Sequence, residues 1–226
     1  MKYEFPSHED IPVKGRLRKC LELISNNNLK GKTLVDVGCS NGWLEYKLQT
    51  YPLKKIIAID PNRKAINFAK KKIDKFNFFV SDASKIPLND SSADFVTIFD
   101  VIEHLPENSE KNTFKEISRI LKKGGKLFLS TPNNHIVSNL FDPVWYLGHR
   151  HYKVKNISEM LEEIGFDVCE IEIVGKYWSV FYMFWFYIEK WIFRKFIPRN
   201  KFLEHKDDQE YQKKGFVTIF VKCTKR

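Results

Sequence analysis

Residues 34–44 (LVDVGCSNGWL) place an apolar strand directly before a glycine turn and a helix, and no other segment limits the fold as strongly. Gly38 and Gly42 suit a turn in which the backbone approaches a ligand or takes a positive φ. The amides of the new helix can bind an anion. Asp60 ends the next apolar run, where a carboxylate can accept both hydroxyls of a ribose. The segment therefore predicts an α/β fold that binds a nucleoside-bearing cofactor.

Short β-branched or aromatic runs alternate with helical patterns along most of the chain, which is typical of βαβ units and a mostly parallel sheet. We predict a Rossmann-like, doubly wound sheet of seven strands, closed by a terminal hairpin with an antiparallel strand. An aromatic helical insertion at 175–214 precedes that last strand. The strands are predicted at 33–37, 56–60, 76–81, 93–99, 126–130, 167–174 and 216–223.

Three helix ends carry recognisable signals. Asn156 and Glu159 fit a capping box at the start of one helix, and Gly165 suits the left-handed position after that helix. The pair Gly124-Gly125 is predicted to end the preceding helix in the same way. Residues 1–226 are expected to form one domain.

The glycine spacing distinguishes between classes of cofactor. A dinucleotide fold needs Gly-x-Gly-x-x-Gly to admit a pyrophosphate, whereas this turn reads Gly38-x-x-x-Gly42. Here the chain resembles the class I S-adenosylmethionine-dependent methyltransferases, whose first motif reads roughly (V/L)-(D/E)-x-G-C-G-x-G. Ser40 replaces the middle glycine, a change that we expect cofactor binding to survive. The resemblance covers residues 31–166 and the closing strand.

Four further segments, 58–61, 79–83, 94–105 and 121–133, resemble the later motifs of that family in their usual order. In this resemblance Asp60 binds the ribose, and Asp82 and the Ala83 amide contact the adenine. S-adenosylmethionine is therefore the implied cofactor. The implied cofactor-binding residues are Asp36, Gly38, Cys39, Ser40, Gly42, Asp60, Pro61, Asp82, Ala83 and Asp100.

Histidines that follow strands four and five are the candidate catalytic residues. An oxygen acceptor must usually lose a proton, and His is the usual base near neutral pH. His104, His149 and His151 lie in the expected region, and the sequence does not choose among them.

A metal site is the alternative use of this region. The cluster Asp100, Glu103 and His104 resembles the Glu-x-x-Glu-His metal site of ubiquinone-biosynthesis O-methyltransferases and small-RNA 2′-O-methyltransferases, which would place a divalent ion there. We expect no metal, because Asp100 shortens one arm and Glu-His-Leu also occurs in metal-free relatives. Asp100 and Glu103 would then position the methionyl end of the cofactor or cap a helix, and His104 would line the acceptor pocket.

The segment 148–152 resembles a family segment that lies over the acceptor site. Its basic side chains and Tyr152 could bind an anionic or phenolic acceptor. Alternatively, His149 or Arg150 bonds to backbone within a loop.

Residues 177–196 hold 11 of the 33 aromatic residues, and basic residues 194, 195, 199 and 201 follow or overlap them. The uncharged core, 178–188, is too short to span a bilayer, which takes about 20 residues. On a helical wheel Glu189, Lys190 and Arg194 share one arc, and the opposite arc holds Trp185, Ile188, Trp191, Ile192 and Phe196. The segment 177–201 therefore either lies on a membrane surface or packs against protein as a lid or dimer face. In both cases we expect it to determine acceptor specificity.

Charge and cysteine content complete the prediction. The net charge, 38 − 28 = +10, favours anionic partners without choosing among them. The four cysteines are far apart and the N-terminus lacks a secretory pattern, so we expect a cytoplasmic protein, with contact at the cytoplasmic membrane face as an option. The predicted function is O-methylation of a small or lipid-linked acceptor, such as a quinone precursor or a polyprenyl-linked glycan. An RNA 2′-O-methyltransferase and a non-catalytic cofactor-binding protein remain alternatives.

Overall fold

A computed structural model describes residues 7–192 and 200–226, and its centre is a seven-stranded sheet. The spatial order is β3-β2-β1-β4-β5-β7-β6, and β7 is antiparallel to both of its neighbours. The predicted doubly wound, mostly parallel sheet with a terminal antiparallel strand is confirmed. The strands are β1 (Thr33–Val37), β2 (Lys55–Asp60), β3 (Asn77–Val80), β4 (Ala93–Phe99), β5 (Leu121–Pro132), β6 (Phe166–Val174) and β7 (Thr218–Lys225).

Helices cover both faces of this sheet. Successive strand residues point to opposite faces, so Val35 packs with α4 and α6 while Leu34 packs with α1 and α2. This explains why most residues of the central strands are apolar on both faces, with Asp36 and Thr97 as buried polar exceptions. The helices are α1 (Gly15–Ser25), α2 (Trp43–Leu48), α3 (Arg63–Lys72), α4 (Glu110–Ile120), α5 (Ile136–Phe141), α6 (Val154–Ile164), α7 (Tyr177–Ile192) and α8 (Lys201–Glu210); short 3₁₀ turns lie at His8–Asp10, Ile102–His104 and Trp145–Leu147.

Two of the three predicted helix ends are wrong. Helix α6 begins at Val154 without a side-chain cap, because the bridge between Asn133 and Tyr152 already fixes the chain before it. Helix α4 ends at Ile120, and Gly124 lies inside β5 at φ +73°, where the pairing with β4 shifts register. Gly165 does follow α6 in the left-handed conformation, as predicted.

The aromatic insertion forms two helices between β6 and β7. The Glu210 carboxylate at the end of α8 accepts hydrogen bonds from the amides of Lys176 (3.0 Å) and Ser179 (2.9 Å), and so closes the N-terminus of α7. Asp208 accepts from the Gly15 amide (2.6 Å) and ties α8 to α1. Within the described residues, no helix combines the length and the apolarity that crossing a bilayer requires. The predicted residues 194, 195, 196 and 199 lie outside the described part of the chain, as do the side chains of 189, 190 and 192.

Candidate active site

A cavity of about 1360 Å³ opens at the edge where the parallel strands end. Pockets for a single small ligand typically occupy about 300–1,000 Å³, so this cavity is larger than one such ligand requires. Ligands bind at this edge in open α/β sheets. The predicted site residues that line it are Gly38, Ser40, Asp60, Pro61, Asp82, Ala83, Asp100, His104, His149 and His151. Asp36, Cys39 and Gly42 are instead buried behind the turn.

The glycine turn needs Gly38 itself. Its φ is +85°, and a Cβ there would stand 2.2 Å from the Val101 side chain. Its amide donates to the Ile59 carbonyl at 2.7 Å, which joins β1 to the end of β2. Ser40 also has a left-handed backbone, at φ +49°, a conformation that favours glycine. Position 40, where the family motif has glycine, therefore requires a left-handed backbone, and this chain has serine there.

Asp60 organises two loops at once. One carboxylate oxygen accepts from the Ser40 amide at 2.9 Å, and the other accepts from the Asn62 amide at 2.7 Å. A carboxylate has about four acceptor positions, so Asp60 keeps capacity for hydroxyl donors in the cavity. The hydrogen bonds from the Ser40 and Asn62 amides fix the orientation of the Asp60 carboxylate.

Asp82 follows β3, next to the end of β2, and it is exposed and lines the same cavity. Its carboxylate accepts from the Ser84 amide (2.8 Å) and the Ser84 hydroxyl (2.7 Å), and these bonds lower the pKa of Asp82. It is therefore ionised and available as an acceptor for an amine.

A buried carboxyl pair lies beneath the turn, and its second member was not predicted. The Thr97 hydroxyl donates to Asp36 at 2.5 Å, and Glu45 of α2 is fully buried. Burial raises the pKa of Asp36 to about 6. Burial, together with the charge of Asp36, raises the pKa of Glu45 well above its usual range. Glu45 was missed because a Glu in the first turn of a helix usually points to solvent and favours the helix dipole.

Glu45→Gln is expected to stabilise the fold at pH 7.5 by about 1–3 kcal/mol and to change little at pH 5. Folded Glu45 stays neutral while unfolded Glu45 ionises, so the free energy of unfolding falls as pH rises above the unfolded pKa. Gln keeps the shape of the neutral acid and removes this pH dependence. Urea denaturation at the two pH values measures it, and exposed Glu107→Gln is the control. Equal stability of wild type and Glu45→Gln at pH 7.5 would contradict the expectation.

His149 and His151 line the cavity, and both bond to one buried aspartate. Asp142 has no exposed side-chain surface, and its Oδ2 lies 3.2 Å from His149 Nδ1 and 2.8 Å from His151 Nε2. Burial opposes ionisation of Asp142, but the hydrogen bonds with His149 and His151 outweigh it and lower the pKa of Asp142. The second nitrogen of His151 faces Asn139 Oδ1 at 2.7 Å. Both His151 nitrogens therefore bond to other protein groups.

His149 differs from His151 at its second nitrogen. The side chain is only 9% exposed, and its buried Nε2 has no hydrogen-bond partner among the described residues. The ring lies 4.6 Å from that of exposed His104, measured between centroids. Since Nδ1 faces the carboxylate, Nε2 is the ring nitrogen that keeps its hydrogen-bonding capacity.

The cluster that resembles a metal site, Asp100, Glu103 and His104, is arranged differently from the sequence pattern. Asp100 faces Arg16 (Nε to Oδ2, 3.1 Å) and the Ser130 hydroxyl (3.0 Å). Donor atoms of Glu103, His104 and His149 lie within 4.8 Å of one another, as do those of Asp142, His149 and His151. A divalent ion at the first group would thus use His149 in place of Asp100.

Arg150 and Tyr152 support the site from behind, contrary to the idea that they bind the acceptor. The Arg150 guanidinium donates to the carbonyl oxygens of Ile102 (2.8 Å) and Leu105 and pairs with Glu110. The Tyr152 hydroxyl donates to the Ile102 carbonyl at 3.0 Å. Both side chains therefore hold the 3₁₀ turn that carries Glu103 and His104.

Helix α7 forms a wall of the cavity. Tyr182, Met183, Phe186 and Tyr187 line it, and burial raises the pKa of Tyr187 to about 12. These four positions share one side of the helix, given 3.6 residues per turn. The insertion therefore adds aromatic and apolar side chains to the cavity that His149 and His151 also line.

Comparison with known proteins agrees with this geometry. A family model described as a methyltransferase domain matches residues 10–171. A "Probable S-adenosylmethionine-dependent methyltransferase" of Mycolicibacterium smegmatis is 27% identical over 139 residues, which cover 61% of this chain and 53% of that protein. A ubiquinone biosynthesis O-methyltransferase of Coxiella burnetii is 28% identical over 117 residues, covering 50% and 49%.

The chain thus spans about half the length of these curated relatives. A crystal structure of an S-adenosylmethionine-dependent methyltransferase from Archaeoglobus fulgidus superposes with a TM-score of 0.67 at 18% identity. That match covers 97% of this chain and 95% of the other, and it shows that the two share a fold.

Proposed function

Since the chain belongs to the S-adenosylmethionine-dependent methyltransferases, we propose that it methylates a hydroxyl oxygen of a small or lipid-linked acceptor, with His149 as the general base. The observation that carries this proposal is the His149 imidazole: Nδ1 faces ionised Asp142, while the buried Nε2 has no protein partner among the described residues. An oriented, carboxylate-supported imidazole is the arrangement that removes a proton from a hydroxyl.

Each side of the cavity has a separate task in this proposal. Asp60 accepts from the ribose hydroxyls, Asp82 accepts from the adenine amine, and the turn at Gly38 passes under the cofactor. When bound, the cofactor supplies a sulfonium methyl that its positive charge already activates. The protein therefore has to align the acceptor oxygen with that methyl, exclude water and take up one proton at His149 Nε2. His151 positions Asp142, and His104 lies at the rim.

The acceptor in this proposal is an aromatic or polyprenyl-bearing molecule, such as a quinone precursor or a polyprenyl-linked glycan. The apolar wall of α7 favours such a molecule over a bare sugar or nucleotide. The Coxiella relative, named for ubiquinone biosynthesis, is consistent with this class. We further propose that residues 1–226 work as one domain at the cytoplasmic face of a membrane, with 175–214 as the acceptor-specific part.

Incubation with methyl-tritiated S-adenosylmethionine tests the proposal against its alternatives. Wild type and His149→Ala are each given a bacterial total lipid extract, a catechol panel or bulk RNA. We expect wild type to label the lipid extract or the catechols, with His149→Ala far weaker. Label in RNA would replace the proposal with a 2′-O-methyltransferase. Cofactor binding without label in any pool would favour the non-catalytic alternative.

Chelation distinguishes a metal-dependent reaction from one that uses His149 as the general base. If Glu103, His104 and His149 held a divalent ion, EDTA would abolish the labelling and added Mg²⁺ or Mn²⁺ would restore it. The proposed base requires labelling to be unchanged by EDTA.

A further inference from the structure

Helix α7 is apolar on both of its sides, which sets it apart from the other helices of the described chain. One side lines the cavity through Met183 and Phe186. The other side presents Trp178, Phe181 and Trp185, which are each about 40% exposed. Spacings of three and four residues place these three rings along one stripe of the helix. A helix that is apolar all round is normally buried on every side or lies in lipid, and the outer stripe of α7 is not buried.

A second set of exposed apolar side chains lies in α5, which packs against α7, and in the turn that follows α5. Helix α5 packs against α7 and presents Ile136 (78% exposed) and Leu140 to the outside. Leu147 of the following 3₁₀ turn is 73% exposed. Exposed leucine or isoleucine side chains are unremarkable when single, but a group of this extent marks an interaction site. We call Ile136, Leu140, Leu147, Trp178, Phe181 and Trp185 the outer apolar surface.

The net positive charge of the segment that contains α7 favours an anionic partner. Residues 176–206 contain seven Lys or Arg and two Asp or Glu, a local excess of 7 − 2 = +5 in a chain of net charge +10. A second copy would bring two such excesses together, and like charges across an interface oppose association. Anionic lipid headgroups instead attract basic residues, with a free energy of about 1 kcal/mol for each Lys or Arg near the bilayer surface. Trp and Tyr next to Lys and Arg are the usual composition of a membrane-interface segment.

We propose that the outer apolar surface docks on an anionic lipid bilayer, so that α7 separates the bilayer from the active-site cavity. One part of the inference rests on the proposed function: an acceptor whose polyprenyl tail stays in the lipid can reach His149 along the inner side of α7. The docking itself follows from the exposed side chains and the charge.

Flotation with vesicles of pure phosphatidylcholine or of 70% phosphatidylcholine and 30% phosphatidylglycerol measures the docking. At 0.15 M salt we expect wild type to float with the anionic vesicles, and binding to weaken as salt rises. The tryptophan emission should shift to the blue as the rings leave water. Trp178→Ser/Trp185→Ser should lower vesicle affinity at least tenfold, and Ile136→Ser/Leu140→Ser at least threefold. Val80→Ser is the matched control, since Val80 is 38% exposed on β3 at the far edge of the sheet.

Two further measurements make each result decisive. Calorimetry measures whether every variant still binds S-adenosylmethionine. Loss of cofactor binding in the wild type would count against the proposed function. Vesicle binding is measured separately and does not depend on that result. Absence of wild-type flotation with anionic vesicles would overturn the docking. Sedimentation equilibrium showing a wild-type dimer that Trp178→Ser/Trp185→Ser converts to monomer would overturn it in favour of a second copy.

Discussion

His149→Ala is expected to lower kcat for methyl transfer to an oxygen acceptor by about 10²–10⁴-fold, the usual contribution of a positioned general base. The cofactor Kd should change less than twofold, because the proposed function places His149 against the acceptor and Asp60 against the cofactor.

Two controls distinguish the base from a side chain that only fills space. Asp142→Asn keeps the shape of the carboxylate and removes its charge, so the tautomer of His149 is no longer fixed; we expect kcat to fall about 10–100-fold with an unchanged cofactor Kd. His104→Ala removes a rim histidine and should lower kcat much less than His149→Ala. An unchanged kcat in His149→Ala, measured with the acceptor that wild type labels, would remove His149 from the mechanism.

The parts of the site that the sequence predicted are those encoded within one strand and the turn after it. The turn at Gly38 and the carboxylate Asp60 belong to this class. In both, burial of the strand and a ligand-facing end follow from local patterns, because parallel strands must end at the same edge. The seven strands, the antiparallel last strand and the insertion between the last two strands followed from the same local patterns and from the family resemblance.

The remaining features depend on contacts between distant residues. Nothing around Asp142 indicates that two histidines seven and nine residues later fold back on it. The same is true of Arg150, whose bonds to the carbonyl oxygens before α4 replace the acceptor contact that its charge suggested. Local patterns predict which side chains are present near an edge, while the loop conformation decides which of them face the cavity. A fold of this class supports many reactions for that reason.

Asp60→Ala is expected to raise the Kd for S-adenosylmethionine about a hundredfold, or about 2.7 kcal/mol. The charged carboxylate would lose two hydrogen bonds to ribose hydroxyls, each worth about 1.5 kcal/mol or more. Isothermal titration calorimetry at pH 7.5 measures the change. Asp82→Ala should raise Kd by less, because Asp82 is exposed and competes with solvent for the adenine amine.

Asp60 also binds the amides of Ser40 and Asn62, so its loss could weaken cofactor binding by moving the turn alone. An S-adenosylhomocysteine analogue that lacks both ribose hydroxyls separates the two causes, since effects on one interaction are not additive. If Asp60 acts through the ribose, wild type should bind the analogue about a hundredfold more weakly than S-adenosylhomocysteine itself. Asp60→Ala should then bind both compounds with nearly equal affinity. If Asp60→Ala still loses a hundredfold between them, Asp60 does not bind the ribose, and the carboxylate acts only on the turn.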